Sequence, residues 1–264
     1  YFQYPKLNMI SGYAAKNMAT NVFYAKRPID SINTFDNSVP LIKLAKTKVD
    51  LENKIVSSSV FGLLERKALY REGVGAVLID DSFDTTQNFL QPKRTVLKNK
   101  LPFPYGNEEP VDSIFQNINY SQLNSAIDTA FAENHKPFLK KTRSVLVVHK
   151  DKIVAEKYAE GYDKDTKFLG WSIAKSLTST IIGVLEKEKK FDIHKPVINS
   201  LKNTDWEKDE RANITTHHLL KMTSGLDWEE DYTKISDVTK MLFLERDMVQ
   251  SQIDKKASFA PEEN

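Results

Sequence analysis

A chain of 264 residues, 40% hydrophobic and 28% charged, has enough apolar content to bury a core as one large domain or two ordinary ones. Its 9 glycines and 10 prolines are too few for a disordered or collagen-like chain, and its lack of cysteine excludes disulfides, thiolate metal sites and a cysteine nucleophile. Acids and bases nearly cancel at a formal +2, and short basic clusters such as Lys140-Lys141-Thr142-Arg143 have no accompanying stripe of aromatic residues, which argues against nucleic acid as a partner.

Tyr1-Phe2-Gln3 matches the last letters of a common engineered protease site and reads as vector sequence. No leading segment reads as a signal peptide, and no apolar run approaches the roughly 18 residues a membrane-spanning helix needs. Composition leaves the compartment open.

From Thr34 to Asp81 the pattern favours strands. Lys54 to Phe61 and Gly75 to Ile79 are β-rich runs separated by charged residues, and together they predict a small β-containing N-terminal region. Leu101 to Pro110 carries three prolines and a glycine in ten residues, which neither a helix nor a central strand accepts. A domain boundary is placed there, dividing the chain into residues 1–110 and 111–264.

Beyond it, Leu123, Ile127, Ala130 and Phe131 form the i, i+4, i+7, i+8 stripe of an amphipathic helix over Tyr120 to Asn134, with Ser121 or Asn119 as its cap. Two β-rich runs, Ser144 to His149 and Ile153 to Tyr158, flank the polar turn Lys150-Asp151-Lys152 and predict a hairpin. From Ser172 to about Lys189, Ala174, Leu177, Ile181 and Leu185 form one apolar face that Ile173, Ile182 and Val184 extend, the pattern of a central, buried helix. Thr215 to Met222 reads as a helix stopped at Gly225, and Lys234 to Ser251 as another.

The chemistry concentrates in Gly170-Trp171-Ser172-Ile173-Ala174-Lys175. On a helix, positions i and i+3 share a face, so Ser172 and Lys175 come within hydrogen-bond reach. A lysine that accepts the serine proton must be neutral, and an apolar setting or a neighbouring cation lowers its pKa. A serine in the first turn also lies among free backbone N–H groups at the positive end of the helix dipole, so its own N–H is a candidate oxyanion donor. The bare spacing is weak, because Ser-x-x-Lys arises by chance in a lysine-rich chain and serine is an ordinary helix cap.

Gly170-x-Ser172-x-Ala174 also resembles the nucleophile elbow of α/β-hydrolases, but that fold needs βαβ units around the elbow. Here a hairpin precedes the serine and mainly helices follow it.

The flanking segments are more specific. Gly170 to Ser176, Gly183-Val184-Leu185, Phe191 to Val197 and Ile214 to Leu226 together resemble the serine β-lactamase and penicillin-binding family. They are most similar to its class C-like branch, which includes esterases, D-aminopeptidases and 6-aminohexanoate-oligomer hydrolases. The resemblance covers roughly residues 115 to 264, with a weaker likeness of Ser11 to Lys16 and Ser59 to Leu63 to the leading region of some bacterial envelope members.

It implies an α/β (α+β) fold of the β-lactamase/transpeptidase type: an antiparallel sheet flanked by helices, with a helical subdomain. It further implies Ser172 as nucleophile, Lys175 as base, an acyl-enzyme formed on a small ester or amide, no cofactor, and a bacterial envelope or periplasmic setting. The alternative within the family is a penicillin-binding or peptidoglycan-sensing protein that acylates without efficient turnover. The family's Tyr-x-Asn normally follows a segment resembling Ala257 to Asn264, and its Lys-Thr-Gly or His-x-Gly lies later still. The resemblance therefore implies the front portion of a longer enzyme, inactive or nearly so by itself. Tyr105-Gly106-Asn107 matches Tyr-x-Asn in letters only, since it precedes the serine.

His217 and His218 are neighbours that diverge by about 100° on a helix, so they are read as packing or capping residues and no metal site is expected. Trp171 either lines a substrate entrance or staples the helix start. Asp227 to Tyr232 reads as an acidic exposed loop, and Glu186 to Lys190 as a solvated helix end.

Overall fold

The computed structural model describes residues 4–87, 90–93, 95, 99–111, 113–133, 139–202 and 204–263. The residues read as vector sequence, Tyr1 to Gln3, lie outside this set, as do Asn134 and Asn264. The fold is mixed α/β with antiparallel sheets and several helices. It divides into two compact units, Tyr1–Gln91 with Leu169–Asn264, and Pro92–Phe168.

The first unit opens with a helix, α1 (Tyr4–Ala19), which runs into a π-helical turn (Thr20–Tyr24) and a short helix α2 (Ile29–Phe35). Four strands follow, β1 (Ala45–Asp50), β2 (Ile55–Val60), β3 (Leu63–Arg71) and β4 (Gly75–Ile79), paired antiparallel in chain order. Short connections make this meander. Phe61 (φ 54°) and Gly62 (φ 76°) form a two-residue turn whose positive φ angles match the twist of the flanking strands.

The alternation along β2 sends Val56, Ser58 and Val60 inward, where α1 meets them with Ala15, Met18 and Ala19. Phe23, Ile32, Ala68 and Tyr70 complete this cluster. The helix face is made largely of small residues, Ser11, Gly12, Ala14, Ala15 and Ala19, which lets the helix lie close to the sheet. Gly12 marks the tightest point, where an added Cβ would stand 3.2 Å from Leu78 Cδ1.

A polar chain closes the end of α1. Asn17 Nδ2 donates to Asn37 Oδ1 at 2.8 Å, Asn21 Nδ2 donates to Asn17 Oδ1 at 3.0 Å, and Arg27 donates to Asn21 Oδ1 and pairs with Asp36 at 2.8 Å. These groups are nearly buried, and their mutual bonds are what makes that burial tolerable.

This region departs from the sequence expectation in three elements. The helix α1 was not anticipated, because its buried stripe is built from small residues of low hydrophobicity. Strand β1, with Lys46, Lys48 and Asp50 pointing outward and Ala45, Thr47 and Val49 alternating with them, is an edge strand protected by charge. The charged stretch between the two expected strands is itself strand β3, pairing with β2 on one side and β4 on the other.

The second unit holds α3 (Tyr120–Phe131) and a hairpin of β5 (Ser144–His149) and β6 (Lys152–Tyr158). Asn119 caps α3, its side chain accepting from Gln122 N, as anticipated for one of the two candidates. The hairpin turn is tighter than expected: only Lys150 (φ 47°) and Asp151 (φ 59°) lie between the strands, and Lys152 already pairs with His149. Lys157 Nζ meets Asp128 of α3 at 2.5 Å. The proline-rich stretch contains neither helix nor strand, and Tyr105 Oη donates to Asp151 at 2.7 Å.

The first unit resumes with α4 (Ile173–Lys187), α5 (Thr216–Leu220), α6 (Asp237–Phe243) and α7 (Gln250–Ile253), joined by 3-10 turns. The long helix expected over Lys234 to Ser251 is thus two short ones, the first started by Ser236 and ended at Leu244. Both described sheets are antiparallel throughout, so no βαβ unit surrounds Ser172 and the nucleophile-elbow context is missing among the described residues.

Candidate active site

Ser172 occupies the N-cap of α4 and Lys175 its first turn. Serine normally caps by accepting a backbone N–H, but the Ser172 hydroxyl makes no such bond. Its partner is Lys175, whose Nζ lies 3.3 Å from Ser172 Oγ. The first turn is wound tightly: Ile173 N donates to Gly170 O at 2.8 Å, Ala174 N to Trp171 O at 3.0 Å and Lys175 N to Ser172 O at 3.0 Å. Those three donors are therefore occupied, whereas the Ser172 N–H has no hydrogen-bond partner among the described residues. A hydroxyl, an amine and one open backbone donor thus stand at the positive end of one helix dipole.

The residue before the serine is strained. Trp171 has φ 41°, a left-handed conformation that a bulky side chain rarely adopts. Its indole is about half exposed and stacks on Tyr13 of α1, with ring centroids 6.3 Å apart and planes inclined by 11°. Tyr13 in turn leans on Phe243 of α6, at 5.9 Å and 59°. Trp171 therefore packs outward against another helix. Reading the sequence offered no role for Tyr13, because an aromatic in a helix carries no sign of what it will touch.

The surroundings of α4 differ from the buried helix that its apolar pattern predicts. None of its residues is buried, and Ile173 (68%), Leu177 (63%) and Ile181 (60%) are largely exposed. Lys175 is exposed too, so the apolar enclosure anticipated around it is not formed by the described residues. Burial needs a packing partner as well as an apolar face, and periodicity reports only the face.

The segment resembling the family around Ile214 to Leu226 is held by local hydrogen bonds. Thr215 and His218 form a reciprocal cap: His218 N donates to Thr215 Oγ1, and Thr215 N donates to His218 Nδ1, each at 3.2 Å. This gives His218 the capping role foreseen for it. His217 lies 5.0 Å from the His194 ring and 4.0 Å from Glu262 Oε1. Among the described residues no three His, Asp or Glu side chains gather into a metal-holding group.

Helix α5 ends earlier than its expected stop. Met222, at φ 61°, takes the left-handed position, with Met222 N donating to Leu219 O and Thr223 N to His218 O. This is the Schellman pattern on a residue other than glycine. Gly225 (φ 74°) serves a different need, the close passage of residues 257–260: an added Cβ would fall 2.2 Å from Phe259 O. Ser258 N donates to Gly225 O at 2.8 Å, and Lys221 Nζ meets Glu262 Oε1 at 2.8 Å. The hydrogen bond and charge of Lys221 hold the Glu262 carboxyl below its ordinary range. The two family-like segments, 214–226 and 257–263, are thereby joined.

A second polar knot ties residues 205–211 to 253–257. Arg211 is buried and forks onto Asp209 and Asp205, while its Nη1 donates to Lys255 O at 2.9 Å. The Arg211 hydrogen bonds depress the Asp209 pKa. Trp206 lies against the guanidinium and donates its indole N–H to Ile253 O at 2.8 Å. An open depression of about 770 Å³ borders this knot, and another of about 550 Å³ lies between α6 and α7. Neither is lined by Ser172, so their size does not identify them with the chemistry.

The antiparallel α/β arrangement is consistent with a β-lactamase/transpeptidase-like fold. The family model described as Beta-lactamase matches residues 133–257, a stretch that includes both Ser172 and Lys175. The chain is also similar to 6-aminohexanoate-dimer hydrolase of Paenarthrobacter ureafaciens, at 29% identity over 91 residues. That alignment takes in 34% of this chain and 23% of the relative, so the chain spans well under two thirds of the curated relative it matches.

Proposed function

We propose that this chain carries the nucleophile and base of a serine hydrolase that acts on a small ester or amide through an acyl-enzyme. The observation that carries the reading is the 3.3 Å approach of Lys175 Nζ to Ser172 Oγ at the start of α4, inside the β-lactamase-family stretch. The relative's name, a hydrolase of a 6-aminohexanoate dimer, supports hydrolysis as the outcome.

In the proposed reaction, Lys175 accepts the Ser172 proton as Oγ attacks the carbonyl carbon. The carbonyl oxygen becomes an oxyanion facing the Ser172 N–H. Collapse of the tetrahedral species breaks the bond to the leaving alcohol or amine, which takes the proton from Lys175. Water, deprotonated by the same lysine, then attacks the acyl carbon; the bond to Ser172 Oγ breaks, Oγ takes the proton back from Lys175, and the acid is released. A bacterial envelope setting belongs to the same proposal, and subcellular fractionation of the native protein tests it.

Intact-protein mass spectrometry tests the chemistry. Incubating the full-length protein with a chromogenic ester is expected to give an acyl adduct on Ser172 that decays, and Ser172→Ala is expected to remove both adduct and turnover. Adduct formation that survives Ser172→Ala would sink the reading. An adduct on Ser172 that persists would favour the acylating sensor over the hydrolase.

A further inference from the structure

We propose that Tyr13, on the N-terminal helix α1, is a positioning residue for Ser172: its ring holds Trp171 in the left-handed conformation from which α4 starts. The inference rests on the reading of Ser172 as the nucleophile and extends the site to a part of the chain outside the family-matched stretch 133–257.

A tryptophan at φ 41° persists only where its surroundings over-determine it. Those surroundings are the Tyr13 ring, nearly parallel to the indole at 6.3 Å, and behind it Phe243. Tyr13 is a firm support because α1 is packed on either side of it: Ala14, Ala15 and Met18 have no exposed surface, and Gly12 lies close enough to Leu78 that an added Cβ would stand 3.2 Å from its Cδ1. α4 itself buries none of its residues, so the body of the helix has no comparable anchor.

The constraint reaches the chemistry through the backbone. Trp171 O accepts from Ala174 N, and the flanking Gly170 O accepts from Ile173 N, so the Trp171 peptide planes orient the whole first turn. That turn carries the Ser172 hydroxyl, the Ser172 N–H and the Lys175 stem. Releasing the indole frees Trp171 to relax toward ordinary φ values and swings all three groups together. Small displacements of this kind lower reaction rates without removing a reacting group.

The test measures how fast a fluorophosphonate labels Ser172 in the full-length protein, with rates normalised to the folded fraction from circular dichroism. Tyr13→Ala is expected to slow labelling about tenfold, and Tyr13→Phe to keep the wild-type rate, since the stack needs only the ring. Trp171→Ala is expected to slow labelling at least as much. Adding Tyr13→Ala to Trp171→Ala is expected to cost nothing further, because Tyr13 acts only through Trp171.

Wild-type labelling in Tyr13→Ala, a Tyr13→Phe loss equal to that of Tyr13→Ala, or multiplied losses in the double variant would overturn the proposal while leaving Ser172 as nucleophile. Wild-type protein that does not label at Ser172, or Ser172→Ala that labels equally, would overturn both. Where Tyr13→Ala does not fold, Tyr13→Leu, which keeps apolar volume without a flat ring, enters the same comparison.

Discussion

Helices α1 and α4 sit in the same compact unit and treat apolar residues in opposite ways. α1 is built from small side chains, yet Ala14, Ala15, Met18 and Ala19 are fully buried beneath the four-stranded sheet. α4 is richer in large aliphatic residues, yet none is buried. The difference teaches that hydrophobicity fixes which face a helix offers, while the neighbouring element decides whether that face is covered. It also assigns the two helices different tasks: α1 supplies a rigid base, and α4 carries the serine–lysine pair at the end next to Trp171.

The largest effect is expected where α1 is most firmly packed. Met18→Ala removes a fully buried side chain from the cluster formed with Phe23, Ile32, Val56 and Tyr70 and is expected to destabilise the fold by about 2–5 kcal/mol. Urea denaturation followed by circular dichroism measures it. A loss below ~1 kcal/mol would mean that α1 is not the rigid base described, and the contrast with α4 would collapse.

A smaller effect is expected at Gly225. Alanine there must adopt φ 74° and place its Cβ 2.2 Å from Phe259 O, so residues 257–260 have to move away. The cost is expected to be about 1–3 kcal/mol. Hydrogen exchange at Ser258, whose N–H bonds to Gly225 O, is expected to accelerate more than exchange in β2 and β3. Equal acceleration in both places would show that the segment is not separately held.

Much of this architecture was legible in the amino-acid order, and the misses share a cause. Alternation and turn residues located β2, β4 and the β5–β6 hairpin, and the i, i+4 stripe with Asn119 located α3. These signals are local, so the chain states them directly. α1 went unseen, and β1 and β3 were not singled out within the strand-favouring stretch Thr34 to Asp81, because their inward residues are small or interleaved with lysine, arginine and glutamate, and only their partners reveal which side is buried. At the candidate site, spacing alone brought Ser172 and Lys175 together, and the geometry agrees at 3.3 Å. Tyr13 was invisible, because it lies far from Trp171 along the chain and no periodicity connects them.

The smallest effects are expected along α4. Gly183 has no atom within 4 Å of a would-be Cβ, so Gly183→Ala meets no obstacle and is expected to stabilise the protein by about 0.5–1 kcal/mol through helix propensity. Leu177→Ala removes a side chain that is 63% exposed, exchanges one good helix former for another, and is expected to change stability by no more than about 0.5 kcal/mol. The same leucine-sized deletion would cost several times more under a packed layer, so the two substitutions gauge the cover over α4 directly. A Leu177→Ala loss above ~2 kcal/mol, paired with a Gly183→Ala loss, would mean that α4 is enclosed as firmly as α1. Tyr13 would then be one of several supports for Ser172, and the labelling difference between Tyr13→Ala and the wild type would shrink accordingly.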